Sequence, residues 1–316
     1  MSSSSHSLRQ IEMVSGLFAG LSNTVITQPL DLLKVRLQLS SKPSSRPFEL
    51  LRSVIGQIHQ DALKAYHSQH GKRPFSVLLA QQYYRGVGPN LLGNVSAWSL
   101  YFTLYAEFKR TLADEDGSVS YFGASALAGA TLAVITNPIW LLKTRILSTS
   151  SQQEHSYRSV LDGVKQIVEK EGILTFWRGT IPSLFSVFQA SLQFTFYDHT
   201  KDYFIRSLGS QDLSAAQYIF ASVVSKTISM TLLYPTQVIR SRIQSYNFEN
   251  ENRSIINVTK RIWHSEKSLK GFYRGLSTNI LRVLPSTCIT FLTYETTKKY
   301  LANWDAMQVR HIYRHY

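Results

Sequence analysis

Pro29-Leu30-Asp31-Leu32-Leu33-Lys34-Val35-Arg36-Leu37-Gln38 closes the first long uncharged stretch of the chain, and the pattern returns twice. Pro138-Ile139-Trp140-Leu141-Leu142-Lys143-Thr144-Arg145 follows 109 residues later, and Pro235-Thr236-Gln237-Val238-Ile239-Arg240-Ser241-Arg242-Ile243-Gln244 a further 97 residues on. A second element recurs in phase, as Tyr84-Arg85-Gly86, Trp177-Arg178-Gly179 and Tyr273-Arg274-Gly275. A third closes each unit: Tyr105 with Lys109, Tyr197-Asp198 with Lys201, and Tyr294-Glu295 with Lys298. Three elements in the same order, three times, define an internal repeat.

The repeats span residues 11–112, 118–206 and 213–301, between a Ser-rich N-terminus (1–10) expected to be disordered and a C-terminal tail (302–316). Each reads as helix, polar loop, short amphipathic helix, helix, which makes the chain all-α. The first two elements lie 56 residues apart in repeat 1, against 40 and 39 in the others. The surplus falls at about 59–77, is rich in His, Lys and Gln, and reads as a longer loop. Residues 13–30, 119–142, 181–197 and 283–294 carry no charge but many Gly, Ala, Ser and Thr. Mean hydropathy is only −0.11. A span of the hydrocarbon core needs about 20 mostly apolar helical residues, so this profile fits membrane helices with one lipid face and one watery face.

Lys and Arg number 34 against 20 Asp and Glu, a formal charge of +14, which points to an anionic partner. A soluble nucleic-acid binder would account for the charge but not for the uncharged helical segments or the triple repeat. Gly86-Val87-Gly88 follows no strand, and its first glycine belongs to the repeated Arg-Gly, so it is not a nucleotide loop. No nucleophile–base arrangement or metal-ligand cluster stands out, so neither an enzyme nor a cofactor is indicated. An adaptor on the same fold remains an alternative to a transporter. The single cysteine, Cys288, excludes an internal disulfide framework.

Pro-x-acid-x-x-base-x-base, then aromatic-base-Gly, then aromatic-acid-x-x-base, resembles the mitochondrial carrier family over nearly the whole chain, from about Ile11 to Leu301. The resemblance implies a monomeric six-helix barrel with pseudo-threefold symmetry. It also implies a central water-filled cavity, alternating access between two gates and residence in the mitochondrial inner membrane, with the peroxisomal membrane as the alternative. Cardiolipin is a possible lipid partner; nucleic acid is not expected.

Proline removes a backbone donor and kinks a helix, so Pro29, Pro138 and Pro235 should draw three helix ends together at a matrix gate. Acid and base three residues apart share a helical face and can pair between repeats. The bases Lys34, Lys143 and Arg240 are complete, but Asp31 is the one acid, because Trp140 and Gln237 replace the others. Gln38 and Gln244 are expected to brace this ring. The opposite, cytoplasmic gate keeps Asp198 with Lys201 and Glu295 with Lys298, whereas Ala106 stands in the acid position of the first pair, before Lys109.

The departures resemble those of the family's flavin-nucleotide and folate branch, and more distantly its pyrimidine-nucleotide and NAD carriers, through residues 137–146 and 284–291. FAD is the expected substrate, with folate, NAD, CoA or a pyrimidine nucleotide as alternatives. Lys226 stands where the other repeats have Gly20 and Gly129. An ammonium at membrane depth costs on the order of 3 kcal/mol unless it meets water or a counter-charge, so Lys226 should face the cavity. Twelve residues before Tyr105, Tyr197 and Tyr294 lie Gly93, Phe185 and Arg282, flanked by Asn94 and Ser186. Arg282 suits a phosphate, Gly93 should leave room for a bulky ring and Asn94 should read a polar edge. Trp140, Trp98 and Phe188 are candidates to stack on a heterocycle.

Overall fold

The computed structural model describes residues 2–40, 47–69, 72–111, 118–149, 157, 159–208, 213–245, 254–266 and 268–312. Among the described residues ten α-helices run in the order α1 (Ser2–Leu39), α2 (Pro47–Ser68), α3 (Phe75–Tyr83), α4 (Val87–Thr111), α5 (Ser118–Ser148), α6 (Val160–Glu171), α7 (Thr180–Leu208), α8 (Ala215–Gln244), α9 (Ile255–Glu266) and α10 (Leu276–Ile312). The long helices α1, α4, α5, α7, α8 and α10 are the six staves of a barrel. Neighbours pack along most of their length where one repeat meets the next, at α4 with α5, α7 with α8 and α10 with α1.

Pro29, Pro138 and Pro235 sit inside α1, α5 and α8, and the segments beyond them converge so that these three helices touch pairwise. Among the described residues, α4, α7 and α10 make no comparable contact with one another. The barrel is therefore closed at one end and open at the other.

Each repeat closes that end with its own apolar cluster. Leu32, Leu33 and Leu37 of α1 pack on Leu50, Val54 and Ile58 of α2; Leu141, Leu142 and Ile146 of α5 pack on Ile167 and Phe176; Tyr234 and Val238 of α8 pack on Val258, Ile262 and Phe272. Gly86, Gly179 and Gly275 adopt φ of 76, 83 and 81°, a left-handed turn that costs glycine nothing. A second demand falls on the same residues, since each abuts a stave of the following repeat. A side chain there would collide with Leu147 at Gly86, approach Gln244 Cγ to 3.0 Å at Gly179 and approach the Lys34 carbonyl to 3.1 Å at Gly275.

Two expectations from sequence are corrected. The Ser-rich N-terminus is helical from Ser2, as the start of α1. Within the C-terminal tail α10 continues to Ile312, and residues 313–316 lie outside the described part. The surplus of repeat 1 is not a loop: it lengthens α2 to Ser68 and adds α3. Leu50, Val54, Ile58, Ala62 and Ala65 fall at helical spacing and are buried, while the His, Lys and Gln side chains that suggested a loop take the other faces.

By hydropathy one described helix, Gly123–Ser148, is long and apolar enough to cross a membrane. The other staves dilute their apolar residues with the polar groups they turn inward. Their outward faces carry exposed large side chains, among them Phe18, Phe102, Phe188, Phe194, Phe220 and Leu292, the surface expected of helices bathed in acyl chains.

Candidate substrate cavity and gates

At the closed end the staves surround a cavity of about 440 Å³. Its wall includes five cations, Lys34, Lys143, Lys226, Arg240 and Arg282, and a single carboxylate, Asp31. Asp31 is 6% exposed and joins all three repeats. Its Oδ1 lies 2.7 Å from Arg282 Nη1 on α10, and its Oδ2 lies 3.4 Å from Lys143 Nζ on α5. Asn90 of α4 donates to Asp31 Oδ2 at 3.1 Å and accepts from Lys143 Nζ at 2.7 Å. In this conformation Arg282 is thus tied to Asp31, while its Nε is buried without a partner.

The two positions without an acid behave differently. Gln237 accepts from Lys34 Nζ at 3.2 Å and donates to Gln189 Oε1 at 2.9 Å, a neutral copy of the pair a carboxylate would make. Trp140 lies with its ring 5.2 Å from Lys143 Nζ and donates its indole N–H to Thr136 Oγ1 at 3.2 Å. It therefore offers Arg240 no acceptor, and Arg240 Nε is buried and unbonded. Gln38 donates to Tyr234 Oη at 3.1 Å, and Gln244 donates to Asn137 Oδ1 at 3.2 Å. Both glutamines thus link staves of different repeats below the charged ring.

Lys226, Asn94, Ser186, Trp140 and Arg282 line the cavity; Gly93, Phe185, Trp98 and Phe188 do not. Asn94 donates to Thr24 Oγ1 at 2.9 Å. The room expected at Gly93 is already filled, because a Cβ there would sit 3.2 Å from Trp140 Cη2 and 3.3 Å from Ile139 Cγ2. Gly93 seats Trp140 rather than a ligand. Phe185 and Phe188 pack together at 6.2 Å and are exposed, as is Trp98, stacked on Phe102 at 5.9 Å. Helical phase turns these rings away from the cavity. At the open end Lys298 pairs with Glu12 of α1, in the first repeat, at 3.2 Å rather than with Asp198 or Glu295, the acids of the repeated aromatic-acid-x-x-base motif. No ion pair between repeats involves Asp198, Lys201 or Glu295 among the described residues.

Sequence reasoning passed over three sets of residues. Asn90 is the fourth residue after its repeated glycine, where Ser183 and Asn279 are also polar, and that triple match was the available signal. Gln28 and Asn137, each preceding the stave proline, donate to the carbonyls of Arg85 (2.8 Å) and Arg178 (3.0 Å). Behind the gate, Glu171 grips the fully buried Arg145 through 2.5 and 2.9 Å bonds and Arg178 at 2.9 Å, while Arg36 meets Asp61 at 3.4 Å.

A three-repeat helical barrel, lipophilic outside and shut at one end below a cationic cavity, defines a membrane-spanning solute carrier. The sequence model of the family "Mitochondrial carrier protein" matches residues 9–116, 114–208 and 211–304. The chain belongs to the mitochondrial carrier family, whose members are transporters. It is 34% identical to the mitochondrial FAD carrier protein FLX1 of Saccharomyces cerevisiae, over 92% of this chain and 96% of that one. It is 34% identical to mitochondrial substrate carrier family protein M of Dictyostelium discoideum (92% and 95% covered). It is 32% identical to the mitochondrial nicotinamide adenine dinucleotide transporter 2 of Arabidopsis thaliana (89% and 77% covered).

Proposed function

We propose that the protein is a monomeric carrier of the mitochondrial inner membrane that moves FAD by alternating access. The supporting observation is the cavity itself, where five cations face one carboxylate beside the indole of Trp140. A dinucleotide offers a pyrophosphate and planar rings. Lys226 and the uncommitted edge of Arg282 are placed to take the phosphates, with Asn94 and Ser186 reading polar edges and Trp140 stacking on a ring. Binding that draws Arg282 from Asp31 would loosen the carboxylate that joins the three repeats. Lys34, Lys143, Gln237 and Arg240 form the matrix gate with Asp31; Lys109, Asp198, Lys201, Glu295 and Lys298 form the cytoplasmic gate. Anionic lipid such as cardiolipin would surround the barrel.

The likeness to a nicotinamide adenine dinucleotide transporter supports NAD as a second reading. Folate, CoA, a pyrimidine nucleotide or a peroxisomal site are further alternatives. The deciding experiment is uptake of labelled FAD into proteoliposomes, competed with unlabelled FAD, NAD, folate, CoA and pyrimidine nucleotides. Competition by FAD at the lowest concentration supports the reading; uptake of NAD but not FAD replaces it.

A further inference from the structure

The cavity floor carries more positive charge than its carboxylate balances. Of the three bases at the converging stave ends, only Lys143 has the carboxylate. Lys34 has a neutral amide for a partner. Arg240 has no hydrogen bond or ion pair among the described residues, and its Nε is shut off from solvent. Both Lys34 and Arg240 line the same cavity. The acid that repeat symmetry would set against Arg240 is Trp140, whose one polar atom is spent on Thr136. Asp31 cannot serve in its place, being held by Arg282, Lys143 and Asn90.

A guanidinium with its Nε shut off from solvent and no counter-charge is costly to hold, and a second cation on the same cavity wall adds to the cost. The same two groups make a favourable seat for one compact oxyanion, with the planar fork of arginine taking two oxygens and lysine a third. We propose that this floor binds a free inorganic oxyanion of the phosphate class between Arg240 and Lys34, and that the anion completes the closed gate where the acids of repeats 2 and 3 are missing. The ion is not cargo; it is a removable part of the gate. Its binding rests on these two side chains and not on the identity of the transported solute. A nucleotide phosphate reaching the floor would compete for the seat.

The test is thermal unfolding of the purified full-length protein in detergent, with inorganic phosphate titrated against chloride at equal ionic strength and no nucleotide present. Phosphate should raise the midpoint by a few degrees once it exceeds its dissociation constant. Arg240→Gln should abolish the rise, and Gln237→Glu, which gives Lys34 an acid of its own, should weaken phosphate binding by about tenfold. Lys165→Ala, on the outer face of α6, should respond as the parent does. Absence of any rise above the chloride control overturns the proposal, as does a rise unchanged in Gln237→Glu, which decides alone if Arg240→Gln does not purify. A rise produced by FAD but not by free phosphate would assign the seat to the substrate and also overturn it. A phosphate response in a protein that takes up no FAD would leave this inference standing while removing the proposed substrate.

Discussion

Arg282→Gln separates the two duties of that residue. The guanidinium touches Asp31 at 2.7 Å and its side chain is 28% exposed. Its loss does not strand the carboxylate, because Lys143 at 3.4 Å and Asn90 at 3.1 Å remain. A partly hydrated pair whose acid keeps other partners is worth about 0.2–1 kcal/mol, and for a chain of this size that amounts to a shift of roughly 2–4 °C or less in Tm. Substrate binding should suffer far more. A hydrogen bond to a charged phosphate contributes about 1.5–3 kcal/mol, a factor of roughly 10–150 in affinity. Thermal unfolding in detergent and initial-rate FAD uptake in proteoliposomes, measured on one preparation, should show a nearly native midpoint beside uptake reduced at least tenfold. Uptake within about twofold of the parent would refute the assignment of Arg282 to substrate. So would a fall in the midpoint large enough to explain the lost uptake as unfolding. Lys165→Ala is the control, since its ion pair with Glu169 lies on an exposed helix face.

Gln237→Glu should raise the unfolding midpoint slightly, by converting the 3.2 Å contact with Lys34 into an ion pair. It should also slow FAD uptake at low ionic strength, with the deficit shrinking as salt screens the field; equal uptake at every salt concentration would remove any electrostatic role from the missing acid. Gly93→Val should displace Trp140, costing about 1–3 kcal/mol of stability as overpacking and lowering uptake, whereas unchanged fluorescence of the indoles and unchanged uptake would show that Trp140 has no fixed seat. Glu171→Gln should be the most damaging for folding, at about 3–5 kcal/mol, because it leaves the fully buried Arg145 without its bidentate acid; the yield of folded protein from membranes measures it.

The kinks, the repeated glycines and the ring of bases were readable because each occurs three times in a linear pattern. The Lys34–Gln237 contact could likewise be expected from repeat symmetry. The Arg282–Asp31 pair could not, since it joins the last stave to the first and has no counterpart in the other repeats: Gly93 and Phe185 occupy the positions equivalent to Arg282. Gly93 misled for a related reason. An absent side chain leaves space, but sequence does not say what fills it, and here Trp140 does. The helical insertion was missed because composition was weighed above period: its buried face is one narrow apolar stripe among many polar residues.

The repeated glycines have a consequence for how the barrel comes apart. Gly86 seats against α5, Gly179 against α8 and Gly275 against α1, so every repeat is both lock and key, and the last engages the first. A linear array of repeats has ends that fray and can lose a unit while the remainder stays folded. A closed ring of three has no such end: withdrawing one repeat breaks two seams and leaves the other pair joined by only one. Melting should therefore be a single concerted event across the whole chain, and damage at one glycine should register in the neighbour whose stave it holds.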